Sequence, residues 1–405
     1  MTDTPMTDTR PTDDWGRLDG RAVAWLDRLL SRDTTSRLSN LPVAELIAEE
    51  CRTLGIAVHL CPDATGRKAN LVATLPAADG TTSGGIALSG HMDTVPVDGQ
   101  DWSSDPFRPE VRDGRLHARG AADMKGFLAL VTAALPRFAA ARLAEPVHLV
   151  FTFDEELAGR GGRQMVDDLA ALEVRPRACI VGEPTSMRVI TGHKSVTIAR
   201  VDVRGRHAHS SLPAAGCNAV EYAARICTAF RAITDGWRDE GPYDEDYAVP
   251  WSTGGVMTIE GGTARNIVPE RCTVVLEFRT VPAVDPGDVI ALLREQAAEL
   301  TRQMQAEQPG TGIEVVVEDL VPTLATAQDS PATRAAIAYG GIPSDEHVTY
   351  GTDGGAFHAA GIETVICGPG DIAQAHGVDE YVEISQLEAC QDFLATMLDR
   401  LSVPD

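Results

Sequence analysis

The 405-residue chain has no stretch approaching the roughly 20 consecutive apolar residues of a membrane span. Basic residues are scarce: Lys and Arg number 35 against 59 Asp and Glu, for a formal charge of −24. That balance argues against nucleic acid and anionic membrane surfaces as partners. It suits a soluble cytoplasmic enzyme or one from a salt-tolerant cell, although plain solubility explains it better. A basic-then-apolar leader is missing too. Residues Met1 to Trp15 are polar with four Asp, so a disordered tail is expected there. Met-Thr-Asp-Thr recurs at residues 1 and 6, which marks Met6 as a second candidate start. The eight cysteines show no Cys-x-x-Cys spacing and several sit in apolar runs, as in Arg177-Ala178-Cys179-Ile180-Val181. They read as reduced core thiols, which excludes a disulfide framework and a thiolate zinc site. Internal repeats and long low-complexity runs are absent as well.

What is present is ordinary globular composition, 43% hydrophobic and 23% charged, at a length sufficient for two domains. The organising stretch is Ser89-Gly90-His91-Met92-Asp93-Thr94-Val95-Pro96, which follows the apolar run Gly85 to Leu88. His91 and Asp93 are therefore expected just past a strand end. Two apart in an extended segment, they point the same way. A metal-binding His commonly has a carboxylate that fixes its tautomer. Taken alone, the pair is equally consistent with an idle surface His-x-Asp.

The pattern recurs. Pro146 to Phe153 reads as a buried strand ending in Asp154-Glu155-Glu156, and Cys179-Ile180-Val181-Gly182-Glu183 as another ending in one acid. Glu363 to Gly368 is a third, with His376 following. Arg119 to Gly126 opens a strongly apolar helix over Phe127 to Phe138, which places Asp123 at a helix N-terminus. Helices are also expected over Leu18 to Leu30 and Leu41 to Leu54, with strands at Ile56 to Leu60 and Asn70 to Leu75. Strands alternating with helices imply an α/β sheet, and in such sheets ligand sites gather beyond the carboxyl ends of the strands. His91, Asp93, Asp123, Glu155, Glu156, Glu183 and His376 all fall on that edge.

Between about Thr191 and Asp319 the rhythm becomes βαββαβ, a ferredoxin-like split-βαβ sandwich. Its helices are expected over Gly216 to Ile233 and Asp288 to Gln305, with Asp235 to Pro250 as an acidic, aromatic loop. The domains expected are a catalytic α/β domain with a mixed central sheet over 16–190 and 320–405, and an inserted domain over 191–319.

Two His with several carboxylates make a hard nitrogen and oxygen donor set, suited to zinc, cobalt or manganese. Two divalent ions need about five protein ligands if one carboxylate is shared, and His91, Asp123, Glu156, Glu183 and His376 number five. Adjacent Glu155 and Glu156 point apart, so one can bind metal while the other faces a substrate.

Gly90-His91-Met92-Asp93-Thr94-Val95-Pro96, Ala122-Asp123-Met124-Lys125-Gly126, Asp154-Glu155-Glu156, Gly182-Glu183-Pro184-Thr185 and Gly368 to His376 followed by Asp379-Glu380-Tyr381 resemble, in this order, the M20 metallopeptidase and deacylase family. The last stretch resembles its acetylornithine-deacetylase branch. The resemblance implies a zinc-exopeptidase-like catalytic domain holding two zinc or cobalt ions. It implies His91 and Glu183 on one ion, Glu156 and His376 on the other, and Asp123 bridging. It further implies Glu155 as general base, Asp93 orienting His91, and a cis peptide at Asp123–Met124. The inserted domain resembles the family's dimerisation domain, which implies a homodimer. Gly205-Arg206-His207-Ala208-His209-Ser210-Ser211 matches a stretch whose His, here His209, would stabilise an oxyanion in the partner subunit. Gly261 to Asn266 and Phe278-Arg279 match stretches where Asn and Arg, here Asn266 and Arg279, meet substrate.

The implied activity is hydrolysis of an N-acyl amino acid, with N-acetylornithine, a step of arginine biosynthesis, the leading substrate. Tyr350-Gly351-Thr352-Asp353-Gly354-Gly355-Ala356-Phe357 departs from the acetylornithine branch and leans toward the succinyl-diaminopimelate desuccinylase pattern. A desuccinylase, a broader aminoacylase or dipeptidase, and a catalytically dead binding protein of the same fold are the alternatives. Against the last stands the intact ligand set with Glu155.

Overall fold

A computed structural model describes residues 15–403; the expected disordered tail, all but Trp15, lies outside them. The chain divides into two compact units. The first takes the chain up to Ile190, Asp329–Ser344 and the chain from Ile362 on, and the second takes Thr191–Gln328 and Asp345–Gly361.

The first unit is built on a six-stranded mixed sheet in the order Ala57–Pro62, Ala69–Leu75, Val147–Thr152, Ile86–His91, Ala178–Pro184, Glu363–Gly368. The last four run parallel, and Ala69–Leu75 is antiparallel to both its neighbours. All but the edge strand Ala57–Pro62 read as largely apolar runs because both their faces are buried. Leu71, Leu88, Leu149, Ile180 and Val365 join the main core with helices Gly20–Leu30, Leu41–Thr53, Lys125–Ala140 and Ile384–Leu401. Their neighbours of opposite parity, Val72, Ala87, Val150 and Val181, are buried outside that cluster. Helix Arg160–Ala171 packs on Ala69–Leu75 and Val147–Thr152.

Two glycines let Lys125–Ala140 lie close on the sheet. A Cβ on Gly90 would come within 2.6 Å of the Met124 side chain, and one on Gly182 within 2.2 Å of the Phe127 ring. Each precedes a candidate ligand, His91 or Glu183, so the helix start is pressed against the strand ends that carry them. The helix itself begins at Lys125, with Met124 as its cap, so Asp123 stands just before the helix and not on its first turn.

The second unit is a four-stranded antiparallel sheet, ordered Thr253–Gly261, Arg271–Arg279, Val196–Arg204, Gly312–Val321, with helices Ala219–Glu240 and Pro286–Glu307. The element order is βαββαβ. Val196–Arg204 and Arg271–Arg279 alternate between buried and half-buried residues, the mark of a sheet with one core face. Two expectations need correction. Residues 235–240 are helical and not loop, because Asp235 pairs with Arg231 and Arg238 along the helix and Trp237 is buried. Residues 320–328 and 345–361, expected in the catalytic domain, belong with the second unit, where His347 N donates to Asp246 O, Val348 N to Gly192 O, and Arg279 to Thr349 O.

Candidate metal centre

The four parallel strands bring their carboxyl ends to one edge of the first unit. His91 is the last residue of its strand and pairs in register with Thr152, so the Glu155-Glu156 pair begins three residues past the neighbouring strand end. Glu183 lies within Ala178–Pro184. His376 comes eight residues after Glu363–Gly368 on a loop.

Asp123 stands at the centre. Its Oδ1 lies 2.8 Å from His91 Nε2 and its Oδ2 3.2 Å from His376 Nε2. Glu183 Oε1 is 3.7 Å from His91 Nε2, and Glu156 Oε2 is 3.0 Å from His376 Nε2. Donor atoms of His91, Asp123 and Glu156 lie within 4.8 Å of one another, as do those of His91, Glu155 and Glu183. The Asp123–Met124 peptide is cis.

His91 Nδ1 faces Asp93 in two ways: the backbone carbonyl at 3.0 Å and Oδ1 at 3.4 Å. The nearer acceptor is the carbonyl, so the Asp93 main chain shares the orienting role that the sequence assigned to its carboxylate. That carboxylate accepts Ser36 Oγ at 2.7 Å on Oδ2 and the Glu155 amide at 3.1 Å on Oδ1. It thereby ties the His91 strand end to Glu155.

The charges explain what the cluster needs. Burial and the Asp123 charge push Glu156 upward. Burial opposes protonation of His91, yet its bonds to Asp123 and Asp93 and the charges of Asp123 and Glu183 carry it well above the ordinary imidazole range. His376, bonded to Asp123 and Glu156, is pushed up to about 10. Burial resists the charge on Asp123, but the two imidazoles hold its carboxyl far below the usual range. In the protein alone, protonated imidazoles are the positive charge that the carboxylates collect. A hard, anionic, buried donor set of this kind fits divalent cations.

His209, Asn266 and Arg279 lie in the second unit. His209 is exposed, with Nδ1 at 2.7 Å from Ser211 Oγ, and Ser210 N donates to Asn266 O, so those two loops are neighbours. Arg279 binds Glu277 through Nε at 2.9 Å. Thr352 in the Tyr350–Phe357 stretch caps the start of helix Gly354–Ala359 by accepting Gly354 N.

Sequence reasoning assigned no role to Ser36, Lys68, Gln100, Arg119 or Glu380. Lys68 Nζ sits on the Asp154 carboxylate and the Ser36 carbonyl, joining the loops that flank Asp93. Glu380 falls inside a quoted motif and Arg119 opens the stretch that leads into the apolar helix, which were the available signals; Lys68 and Gln100 carry none.

Against known proteins, the family model of peptidase family M20/M25/M40 matches residues 87–400. The chain is 35% identical over 378 residues to an acetylornithine deacetylase of Myxococcus xanthus, covering 92% of this chain and 95% of that protein. It is 30% identical over 375 residues to an acetylornithine deacetylase of Proteus mirabilis (strain HI4320), covering 92% and 93%. Among solved structures, a tripeptidase from Staphylococcus aureus superposes with a TM-score of 0.71 at 20% identity, covering 95% of this chain and 99% of that one. The chain belongs to peptidase family M20/M25/M40 and is a metal-dependent amide hydrolase of that family. Two relatives that share most of its length, at 35% and 30% identity, are acetylornithine deacetylases. Among the described residues no helix is long and apolar enough to cross a membrane.

Proposed function

We propose that the chain hydrolyses the amide of an N-acyl amino acid, N-acetylornithine to ornithine and acetate, using two divalent ions, zinc or cobalt. What carries the reading is Asp123, which offers one oxygen to each of two imidazoles. His91 and Glu183 would hold one ion, Glu156 and His376 the other, and Asp123 both. Ions held there would lower the pKa of a bound water and polarise the amide carbonyl. Glu155, with its carboxylate beside His91 and Glu183 and its amide on Asp93, takes the water's proton and returns it to the leaving amine. Its neighbour Glu156 sits instead on His376, at 3.0 Å.

The deacetylase relatives favour an acetyl substrate, while the Tyr350–Phe357 stretch favours a succinyl one. On the sequence motifs, Asn266 and Arg279 bind the substrate and His209 stabilises the oxyanion in a partner subunit. A homodimer through the second unit is supported by its edge strand Thr253–Gly261, which exposes Val256, Met257 and Ile259. The test is a panel of N-acetyl, N-succinyl and other N-acyl amino acids with zinc and with cobalt. N-acetylornithine is expected to give the highest kcat/KM, and N-succinyl-diaminopimelate in first place overturns the substrate. Glu155→Ala is expected to lower turnover about 10²–10⁴-fold with both ions retained; near-normal turnover refutes the assigned base.

A further inference from the structure

Arg119 and Glu380 form a buried ion pair that the hydrolysis above does not use: the two residues are 0% and 1% exposed. Arg119 Nη1 meets Glu380 Oε2 at 2.5 Å. The other carboxylate oxygen accepts the amides of Ala122 at 3.0 Å and Asp123 at 3.2 Å, so the pair grips the main chain of the residue at the centre of the cluster.

The other side of Arg119 leads to His376. Arg119 Nη2 donates to Gln100 Oε1 at 2.7 Å, and Trp102 Nε1 donates to the same oxygen at 2.9 Å. Two donors converging on one atom fix the amide's orientation. Its NH₂ therefore faces the main-chain carbonyl of His376, at 2.9 Å. A continuous path thus runs from the Asp123 amide through Glu380, Arg119 and Gln100 to the His376 carbonyl.

His376 needs such a hold. Its side chain is 51% exposed and its φ is +61°, a left-handed conformation that a residue with a Cβ keeps only when its surroundings impose it. Three residues on, Asp379 is tied separately, its carboxylate accepting Ser103 N and Oγ at 2.9 and 3.0 Å. Loss of the Gln100 bond would therefore release His376 without freeing the loop.

We infer that Gln100 is a positioning residue: with Arg119 and Glu380 it clamps the distance between Asp123 and His376, and so sets the affinity of the ion on the exposed side of the site. The inference rests on the proposed reading of Asp123 and His376 as ligands of one ion. Metal-ligand supports of this sort change affinity about 10–100-fold when removed. The selective variant is Gln100→Glu, which keeps oxygens for Arg119 and Trp102 but has no donor for the His376 carbonyl. Gln100→Ala removes both arms.

The test is cobalt titration of the metal-free full chain, followed by calorimetry and by the visible absorption of each bound ion. Wild type is expected to take two ions in distinguishable steps. Gln100→Glu and Gln100→Ala are expected to weaken the second step about 10–100-fold and alter that ion's spectrum, with the first step unchanged in both and the melting temperature unchanged in Gln100→Glu. A wild-type second step in Gln100→Glu, or equal weakening of both steps, overturns the clamp alone. A wild type that binds fewer than two ions overturns the clamp together with the functional reading.

Discussion

The two halves of the cluster are built differently. His91 and Asp93 are each 1% exposed and sit at the end of a central strand, with Glu183 supplied by the strand beside them. His376 is half exposed on a loop. Sheet register places the first half, since neighbouring parallel strands carry their ends to a common edge. The second half depends on hydrogen bonds between loops, and on Asp123, whose carboxylate belongs to both. The difference teaches that one half of the site is assembled by folding the core, and the other by contacts that the core does not dictate.

The largest test of that contrast removes each imidazole in turn. His91→Ala leaves Asp93 and Asp123 buried without their common partner, and removing one member of a buried charged set costs about 3–5 kcal/mol. His376→Ala removes a half-exposed imidazole from Asp123, which keeps His91, and from Glu156, which can take up a proton, so a smaller loss is expected. Urea unfolding of the metal-free proteins is expected to show this gap, with His376→Ala still binding one ion and both variants losing turnover. Equal destabilisation by the two variants would erase the distinction between the halves.

A pH series sharpens it. In the metal-free protein His376 is raised to about 10 and His91 is raised as well, both above an unfolded value near 6.5. The stability they contribute is fully present below about pH 6.5 and is lost as pH rises through the folded values. Glu156, raised by burial, adds to the same decline at lower pH. Asp123 is depressed, so its contribution is present above its unfolded value, near 3.9, and is lost in acid. The melting temperature of the metal-free protein is therefore expected to fall steadily from pH 6.5 to 10. Bound ions require the imidazoles unprotonated, so the protection given by added zinc should widen over the same range. His376→Ala should flatten the decline only in part, because His91 remains. A metal-free melting temperature that rises toward pH 10 contradicts the charge distribution.

The closed half was also the legible half. Apolar runs ending in His91, in Glu155-Glu156 and in Glu183 disclose strand ends because a strand buried on both faces has no other composition available. Asp123 was legible as a residue before an apolar helix, although the helix starts two residues later. In the open half, His376 was legible only as a residue following the apolar run Glu363 to Gly368, and nothing local marked what holds it. Gln100 and His376 are 276 residues apart, and the donor is an ordinary amide in a polar loop. The second unit misled for related reasons. An acidic run such as residues 235–240 looks like loop until its i, i+3 and i, i+4 Arg partners are paired with it. Residues 345–361 carry no composition that says which sheet their amides will join.

The smallest test lies inside the closed half, at Ser36. Asp93 holds His91 mainly through its carbonyl, and its carboxylate is held in turn by Ser36 Oγ and the Glu155 amide. Asp93→Asn keeps the carbonyl and the shape but loses the charge, so turnover is expected to fall about 10–100-fold with both ions retained. Ser36→Ala removes one bond to a charged acceptor, worth about 1.5–3 kcal/mol; only the part felt in the transition state lowers turnover, and a loss of about tenfold is expected. Glu155 N remains on the other oxygen, so the carboxylate cannot swing freely. If Ser36→Ala matches Asp93→Asn, the hydroxyl and not the Glu155 amide fixes the carboxylate. Should Asp93→Asn instead strip both ions while His91→Ala keeps them, Asp93 is itself a ligand and the closed half has been assigned in the wrong order.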